Sequence, residues 1–402
     1  VDLRLTDQQL AFRDRLRAWL ADTLPTLPAK PGRDDWPARR RYDTAWQRLL
    51  FDAGYAGVDW PAEHGGVGVS PTEQLIFLEE TARARAPYVG ANFVGLLHAG
   101  PTIIAEGTDE QRARHLPRIL RGDEVWCQGF SEPDAGSDLA SLRTTAVRDG
   151  DDYVINGRKV WTSHAEVADY CELLVRTDPA APKHKGITWL ILPMDTPGVR
   201  VRPLRTVVGS SEFSELILDD VRVPVTARVG AENDGWRVAM VTFSFERGTA
   251  FIGDVIESRN LIQETVAIAR SVRRADGGTL WDDAALRRDV GRLTAEVSGL
   301  WALIQQNVSA ASAGMIPVEG ASVFKLRFTE SRQRIGDLAA HVLGRAALAM
   351  SELPGGPGNA RIVEDRVNTL SFTIAAGTSQ IQKDILAERV LGLPKEPRWT
   401  SR

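Results

Sequence analysis

Two cysteines, Cys127 and Cys171, in 402 residues leave no material for a disulfide framework or a cysteine-based zinc site. Histidine is sparse as well. Of six, His64, His98 and His115 stand without a carboxylate or second histidine at metal-ligand spacing, so structural or surface roles are expected and no metal. Long apolar runs are missing: stretches such as Thr188 to Pro193 fall far short of the ~20 residues that a membrane span needs. Val1 to Leu20 mixes charged and apolar residues like an amphipathic helix rather than a targeting signal, which makes the cytoplasm the expected compartment. Positive charge is not in excess either. Lys and Arg number 49 against 53 Asp and Glu, a net charge of −4, and no basic run carries interleaved aromatics, so neither nucleic acid nor membrane is an expected partner.

What is present is ordinary globular material, 43% hydrophobic and 25% charged, in a chain too long for one simple core. Hydrophobic periodicity divides it in three. Residues 1–122 read as an N-terminal α-helical domain, with helices over 38–53, 71–86 and 90–106 and a glycine-dense connection from Gly54 to Gly68. No lysine follows those glycines at P-loop spacing, so a phosphate site there is a weak reading. Residues 123–231 change to alternating or short continuous apolar runs. Strands are expected over 170–176, 187–192, 199–203 and 213–218, in a compact β-barrel or sandwich. Residues 232–402 return to helical periods over 236–275, 284–313, 318–350, 359–370 and 379–391, which fits an up-down four-helix bundle. The fold class is therefore α+β and multidomain.

The chemistry concentrates in Gln128 to Ser163. Ser131-Glu-Pro-Asp-Ala-Gly-Ser-Asp138 is a loop of small, kinked and hydroxyl-bearing residues, able to bring backbone N–H groups close to a ligand. A hairpin follows, turning at Asp149-Gly150, and a second turn is expected at Asn156-Gly157. It leads into Lys159-Val-Trp-Thr-Ser163, where an indole and a hydroxyl lie two residues apart and suit a planar heterocycle with hydrogen-bonding edges.

This ordered set resembles the acyl-CoA dehydrogenase family, whose middle domain carries T/S-E-P-x-A-G-S-D and then N-G-x-K-x-W-x-T/S. Here they read S-E-P-D-A-G-S-D and N-G-R-K-V-W-T-S. The resemblance implies FAD, with flavin contacts at Gln128, Phe130, Ser131, Trp161 and Ser163, and Ser137 near an acyl-CoA thioester. It also implies a homodimer or homotetramer, possibly a heteromer, binding FAD across subunits, with electron-transfer flavoprotein as electron acceptor. Arg273 or Arg274 stands where relatives reach a neighbouring subunit's FAD. The glycine-dense connection is similar to one that is mostly structural in the family, and the basic loop Pro179 to Gly186 stands where CoA phosphate is contacted.

The reaction this implies removes an α-proton from the thioester while the β-hydride leaves to flavin, which requires a carboxylate base. Many relatives supply it from Y-E-G-T-x-Q-I-Q; the corresponding stretch here is Ala375-Ala-Gly-Thr-Ser-Gln-Ile-Gln382. The glutamate position is Ala376, whose backbone N–H remains available to polarise a thioester carbonyl. Thr378 and Gln380 are implied FAD contacts, and Ser379 with Gln382 has capping-box spacing. Other branches place the base on the first long helix, immediately before an arginine, as in Glu246-Arg247 here. Glu246 is then the expected base on an apolar helix, and Arg247 orients beside the substrate. Three activities are consistent with these residues: a dehydrogenase using Glu246, a non-catalytic or half-active subunit of a heteromeric dehydrogenase, and a flavin oxygenase of the same fold.

Overall fold

Capping chemistry sets the helix boundaries at the start of the chain. The computed structural model describes residues 4–87, 89–249, 252–314, 320–354 and 358–395, without the side chains of 245–249 and 320. Helix α1 (Asp7–Thr23) gives way to a turn containing Pro25. In α2 (Trp36–Asp52) the Asp35 carboxylate accepts the Ala38 N–H at 3.0 Å, and Gly54, at φ 74°, follows the last turn. Helix α3 spans Pro71–Arg83. The single helix expected over 90–106 is instead a 3-10 turn (Gly90–Asn92), a π-helical turn (Gly95–Ala99) and then α4 (Gly100–Glu106). Pro101 lacks the N–H that a regular helix would donate one turn back, which favours this break. Helix α5 (Asp109–Arg121) opens with a reciprocal Thr108–Gln111 capping box. The Gly54–Gly68 connection is structural: it wraps the buried Trp60, whose Nε1 donates to the Leu96 carbonyl at 3.1 Å, and Gly66 leaves no room for a Cβ against it.

Eight strands follow among the described residues: β1 (Trp126–Gly129), β2 (Thr145–Asp149), β3 (Asp152–Ser163), β4 (Tyr170–Arg176), β5 (Ile187–Pro193), β6 (Val199–Leu204), β7 (Phe213–Pro224) and β8 (Arg228–Val229). Helices α6 (Gly235–Thr249), α7 (Ile252–Ser271), α8 (Ala284–Ser312), α9 (Gly320–Leu343), α10 (Asn359–Phe372) and α11 (Ser379–Ile385) complete the order. Contacts gather the chain into two units, residues 12–74 with 84–250, and residues 1–11 and 75–83 with 251–402.

In the first unit the strand order is β6-β7-β3-β2-β4-β5-β8, with β1 parallel to β4. The outer strands β6 and β8 do not pair among the described residues, so the β-domain is a sandwich rather than a closed barrel. Cys127, Tyr153, Ile155, Cys171, Leu173, Leu190 and Leu216 fill its core by strand alternation. Asn156-Gly157 is not a turn. Strand β3 continues through it with a register shift against β7, and Gly157, at φ 155°, lies so close to Thr144 that a Cβ would fall 2.7 Å from the Thr144 Cα. In the second unit α7 to α10 pack around Val255, Leu293, Val297, Phe328, Ile335 and Ile362, and Arg332 of α9 grips Asp365 of α10 through both carboxylate oxygens at 2.7 and 2.8 Å. No helix among the described residues is long and apolar enough to cross a membrane.

One buried ion pair joins the two motifs of the β-domain. Lys159 is fully buried; its Nζ donates to the Phe130 carbonyl at 3.0 Å and to Glu132 Oε1 at 2.8 Å. The same carboxylate accepts the backbone N–H groups of Arg143 (2.7 Å) and Thr144 (2.8 Å), while Val160 N–H donates to the Ser131 carbonyl at 2.9 Å. Burial pushes the Glu132 carboxyl up, but the Lys159 charge and these donors together hold it below the usual carboxylate range. Lys159→Met should therefore strand a buried charge and cost about 3–5 kcal/mol, seen as a lower urea midpoint. Glu132→Gln combined with Lys159→Met should recover most of that loss; an unchanged midpoint in the single variant would refute the role given to the pair.

His164, directly after β3, is held at a left-handed φ of 58° with its ring against Trp36 and Phe93 (centroids 4.9 and 5.8 Å). Burial, and then the nearby Arg39 charge, push its imidazole down from 6.5 to about 4. Because the folded value lies below the unfolded one, the unfolded chain takes up the proton first as pH falls. Folding then loses about 3 kcal/mol between pH 6.5 and 4 from this group and nothing more below. His164→Asn, which tolerates the left-handed conformation, should lose less stability than the parent on acidification from pH 7 to 4.5 in parallel urea titrations. Equal losses would contradict the assignment.

Candidate functional site

The bulge at the end of β3 aims a ring outward. Pairing with β7 slips between Lys159 and Thr162, and Trp161 takes a left-handed φ of 61° that few non-glycine residues adopt. Its indole is 61% exposed and touches Phe213 only edge-on, with centroids 6.0 Å apart, so a flat aromatic face is open. Strain of this kind costs about 1–3 kcal/mol and marks candidate ligand sites. Ser163 follows, half-buried, and the half-buried Ser131 is tied beside β3 through the Val160 N–H. Phe130, buried at the end of β1, packs its ring edge-on against Phe243 of α6 at 5.9 Å. It therefore offers no open side-chain surface.

The expected base lies on α6, whose start is pinned to the sheet. Asn233 (φ 65°) donates its N–H to Thr188 Oγ1 at 3.0 Å and accepts from Thr177 Oγ1 at 2.6 Å. Arg237 binds both oxygens of Glu106 at 2.5 and 2.8 Å, and the fully buried hydroxyls of Thr102 and Thr242 meet at 2.8 Å. Residue 246 falls one turn after Thr242 on this helix. The side chains of Glu246 and Arg247 lie outside the described residues.

Sequence reasoning missed a polar network on the same unit. Gln128 of β1 lies in register with Glu172 of β4, and its Nε2 donates to Glu172 Oε1 at 2.7 Å. The same nitrogen lies 3.2 Å from Nδ1 of His98 in the π-helical turn. Glu172 and His98 are buried, at 0% and 5% exposure. His98 had no signal in the sequence because its partners lie on distant strands.

Nearby loops are stitched together. The exposed Ser137 neighbours Asp138, which pairs with Lys183 of the basic loop at 2.5 Å. Arg176 donates to the carbonyls of Ala140 (2.6 Å) and Lys185 (2.6 Å), bracing both segments.

In the second unit, residues 375–378 form a strained loop: Ala376 has φ 52° and Gly377 φ 83°. Lys325 Nζ donates to the Gly377 carbonyl at 2.6 Å and Gln382 Nε2 to the Ala376 carbonyl at 3.1 Å. The expected Ser379–Gln382 capping box does not form. Thr378 is the cap instead, its hydroxyl accepting the Ile381 N–H at 3.2 Å, because Gln382 is turned back onto the loop. Gln380 is exposed. Arg273 is exposed too and makes no ion pair among the described residues, whereas Arg274 pairs with Asp276 at 3.2 Å.

No group of three or more His, Cys, Asp or Glu side chains suited to a metal occurs among the described residues. Within the first unit, the open indole of Trp161 and the hydroxyls of Ser131 and Ser163 fit a planar cofactor with hydrogen-bonding edges.

Comparison with known proteins agrees along the chain. Models of the acyl-CoA dehydrogenase N-terminal, middle and C-terminal domains match residues 6–123, 127–221 and 233–391. The acyl-CoA dehydrogenase IpdE1 of Mycobacterium tuberculosis is 40% identical over 394 residues, covering 96% of this chain and 98% of its own length. Among solved structures, the ChsE4-ChsE5 complex from Mycobacterium tuberculosis superposes with a TM-score of 0.84 at 36% identity, covering 98% of this chain and 100% of that one. The Tcur3481-Tcur3483 steroid acyl-CoA dehydrogenase gives 0.82 at 33% identity, with the same coverage. The chain belongs to the acyl-CoA dehydrogenase family, and its cofactor is FAD.

Proposed function

We propose that this chain is a half-active subunit of a heteromeric acyl-CoA dehydrogenase, supplying the carboxylate base from Glu246 while its C-terminal loop has given up the usual one. The observation that carries this reading is Ala376: a methyl group stands in a strained, braced loop where many relatives place their base. Two similar structures are of paired chains, ChsE4-ChsE5 and Tcur3481-Tcur3483, the latter a steroid enzyme. The C-terminal unit also leaves Leu348, Leu370, Ile374 and Leu391 at 87%, 56%, 67% and 68% exposure, apolar surface suited to a partner chain.

In this reading the domains divide at 1–122, 123–231 and 232–402, and the acyl-CoA lies against the loop bearing Ser137. Trp161, Ser163, Ser131 and the strand through Gln128 and Phe130 hold the flavin ring, and Thr378, Gln380 and Arg273 hold the remainder of FAD. FAD, when bound, supplies the acceptor for the hydride from Cβ and passes electrons on to electron-transfer flavoprotein. Glu246 takes the α-proton, and the C–H bonding pair left behind forms the Cα–Cβ double bond as the hydride departs. The backbone N–H of residue 376 donates to the thioester oxygen as negative charge develops there, and Arg247 orients the base. A methyl at position 376 also leaves volume beside the acyl group, which favours branched or ring-bearing acyl chains over short linear ones.

Native mass spectrometry and flavin absorbance test the assembly. Purified alone, the chain should carry clearly less than one FAD per chain and give slow turnover. Co-purified with its partner chain, it should form a mixed oligomer that holds FAD and oxidises acyl-CoA. A homotetramer with one FAD per chain and full turnover would overturn the heteromeric reading.

A further inference from the structure

We propose that Gln128 Oε1 is a fixed hydrogen-bond acceptor that selects acyl groups bearing a hydroxyl, and that Glu172 and His98 are the positioning residues that fix it. The inference rests on α6 being the helix that carries the base. Gln128 Nε2 donates to Glu172 Oε1 at 2.7 Å, so the amide nitrogen is the end that faces the carboxyl group. Its second N–H then points to His98 Nδ1 at 3.2 Å, which accepts it. Both amide hydrogens are engaged, and the end of the side chain left over is the oxygen. No hydrogen bond reaches that oxygen among the described residues, and Gln128 is only half-buried, which leaves the oxygen to a ligand.

Strand geometry places this oxygen on the reacting side. Cys127 points into the sheet core, so Gln128 and Phe130 share the opposite face of β1. Phe130 on that face meets Phe243 of α6, three residues before Glu246. An acyl group presented to a base on α6 therefore passes the face from which Gln128 projects. A hydroxyl there donates to Oε1. A ketone oxygen sets two acceptors against each other, and a bare methylene removes the hydrogen bond that Oε1 makes to water. Glu172 and His98 prevent the amide from flipping to suit a ketone, which makes the preference structural rather than adaptive.

The test measures binding without turnover. S-alkyl thioethers of CoA carry no carbonyl, so their α-protons are not acidic and no flavin reduction follows, whichever residue is the base. Cyclohexyl- and decalinyl-propyl thioethers bearing hydroxyl, oxo or hydrogen at each ring position would be titrated calorimetrically into the FAD-loaded protein, in complex with its partner where one is required. At one ring position the hydroxyl ligand should bind about tenfold or more tighter than its ketone. Gln128→Leu should abolish that ratio in the molecules that hold FAD. Glu172→Gln, which lets the amide flip, should also collapse it, and serves if Gln128→Leu fails to fold. Absence of a hydroxyl preference at every position, or its survival in either variant, overturns the proposal. So does a Gln128→Leu variant that alters the flavin spectrum and leaves the ratio intact, because the oxygen would then serve a flavin N–H. Failure of the base assignment shows separately, as flavin reduction by acyl-CoA in Glu246→Gln at the parent's rate.

Discussion

The buried bond between Lys159 and Glu132 is the constraint on which the β-domain site depends. Burying either charge alone costs several kcal/mol. The arrangement holds because backbone groups add to the pair: the Phe130 carbonyl accepts from Lys159, and the Arg143 and Thr144 N–H groups donate to Glu132. The result is that a glycine- and proline-bearing loop, which would otherwise sample many conformations, is fixed against β3. Two residues beyond Lys159 the strand bulges and turns Trp161 outward. Loop and indole are thereby positioned by one interaction, which explains why both motifs occur together with a glutamate in the first and a lysine in the second.

Strain elsewhere follows the same logic. Trp161, His164 and Ala376 all hold left-handed backbone conformations without being glycine, and each is over-determined by its surroundings. The β3–β7 pairing holds the first, the Trp36 and Phe93 rings the second, and Lys325 with Gln382 the third. At residue 376 the loop is braced in this conformation although the side chain there is only a methyl group.

Much of this was legible in the sequence, for reasons that can be located. The period change near residue 123 marked the β-domain, and the strands over 170–176 and 187–193 follow directly from their continuous apolar runs. Asn156-Gly157 misled because in isolation the pair signals a turn; continued pairing with β7 and the close approach of Thr144 override it. The capping box at Ser379 misled for a similar reason, since Gln382 is engaged by the Ala376 carbonyl instead. The Gln128–His98–Glu172 network had no sequence signal at all. It arises from the parallel pairing of β1 with β4 and from a π-helical turn, neither of which a local pattern encodes.

The proposed reaction turns on one carboxylate, and rapid anaerobic mixing of acyl-CoA with Glu246→Gln measures it most directly. The substitution keeps shape and removes basicity, so the variant complex should retain FAD and bind acyl-CoA while the rate of flavin bleaching falls by about 10²–10⁴-fold. Bleaching at the parent's rate would show that Glu246 is not the base and that the proton leaves by another group.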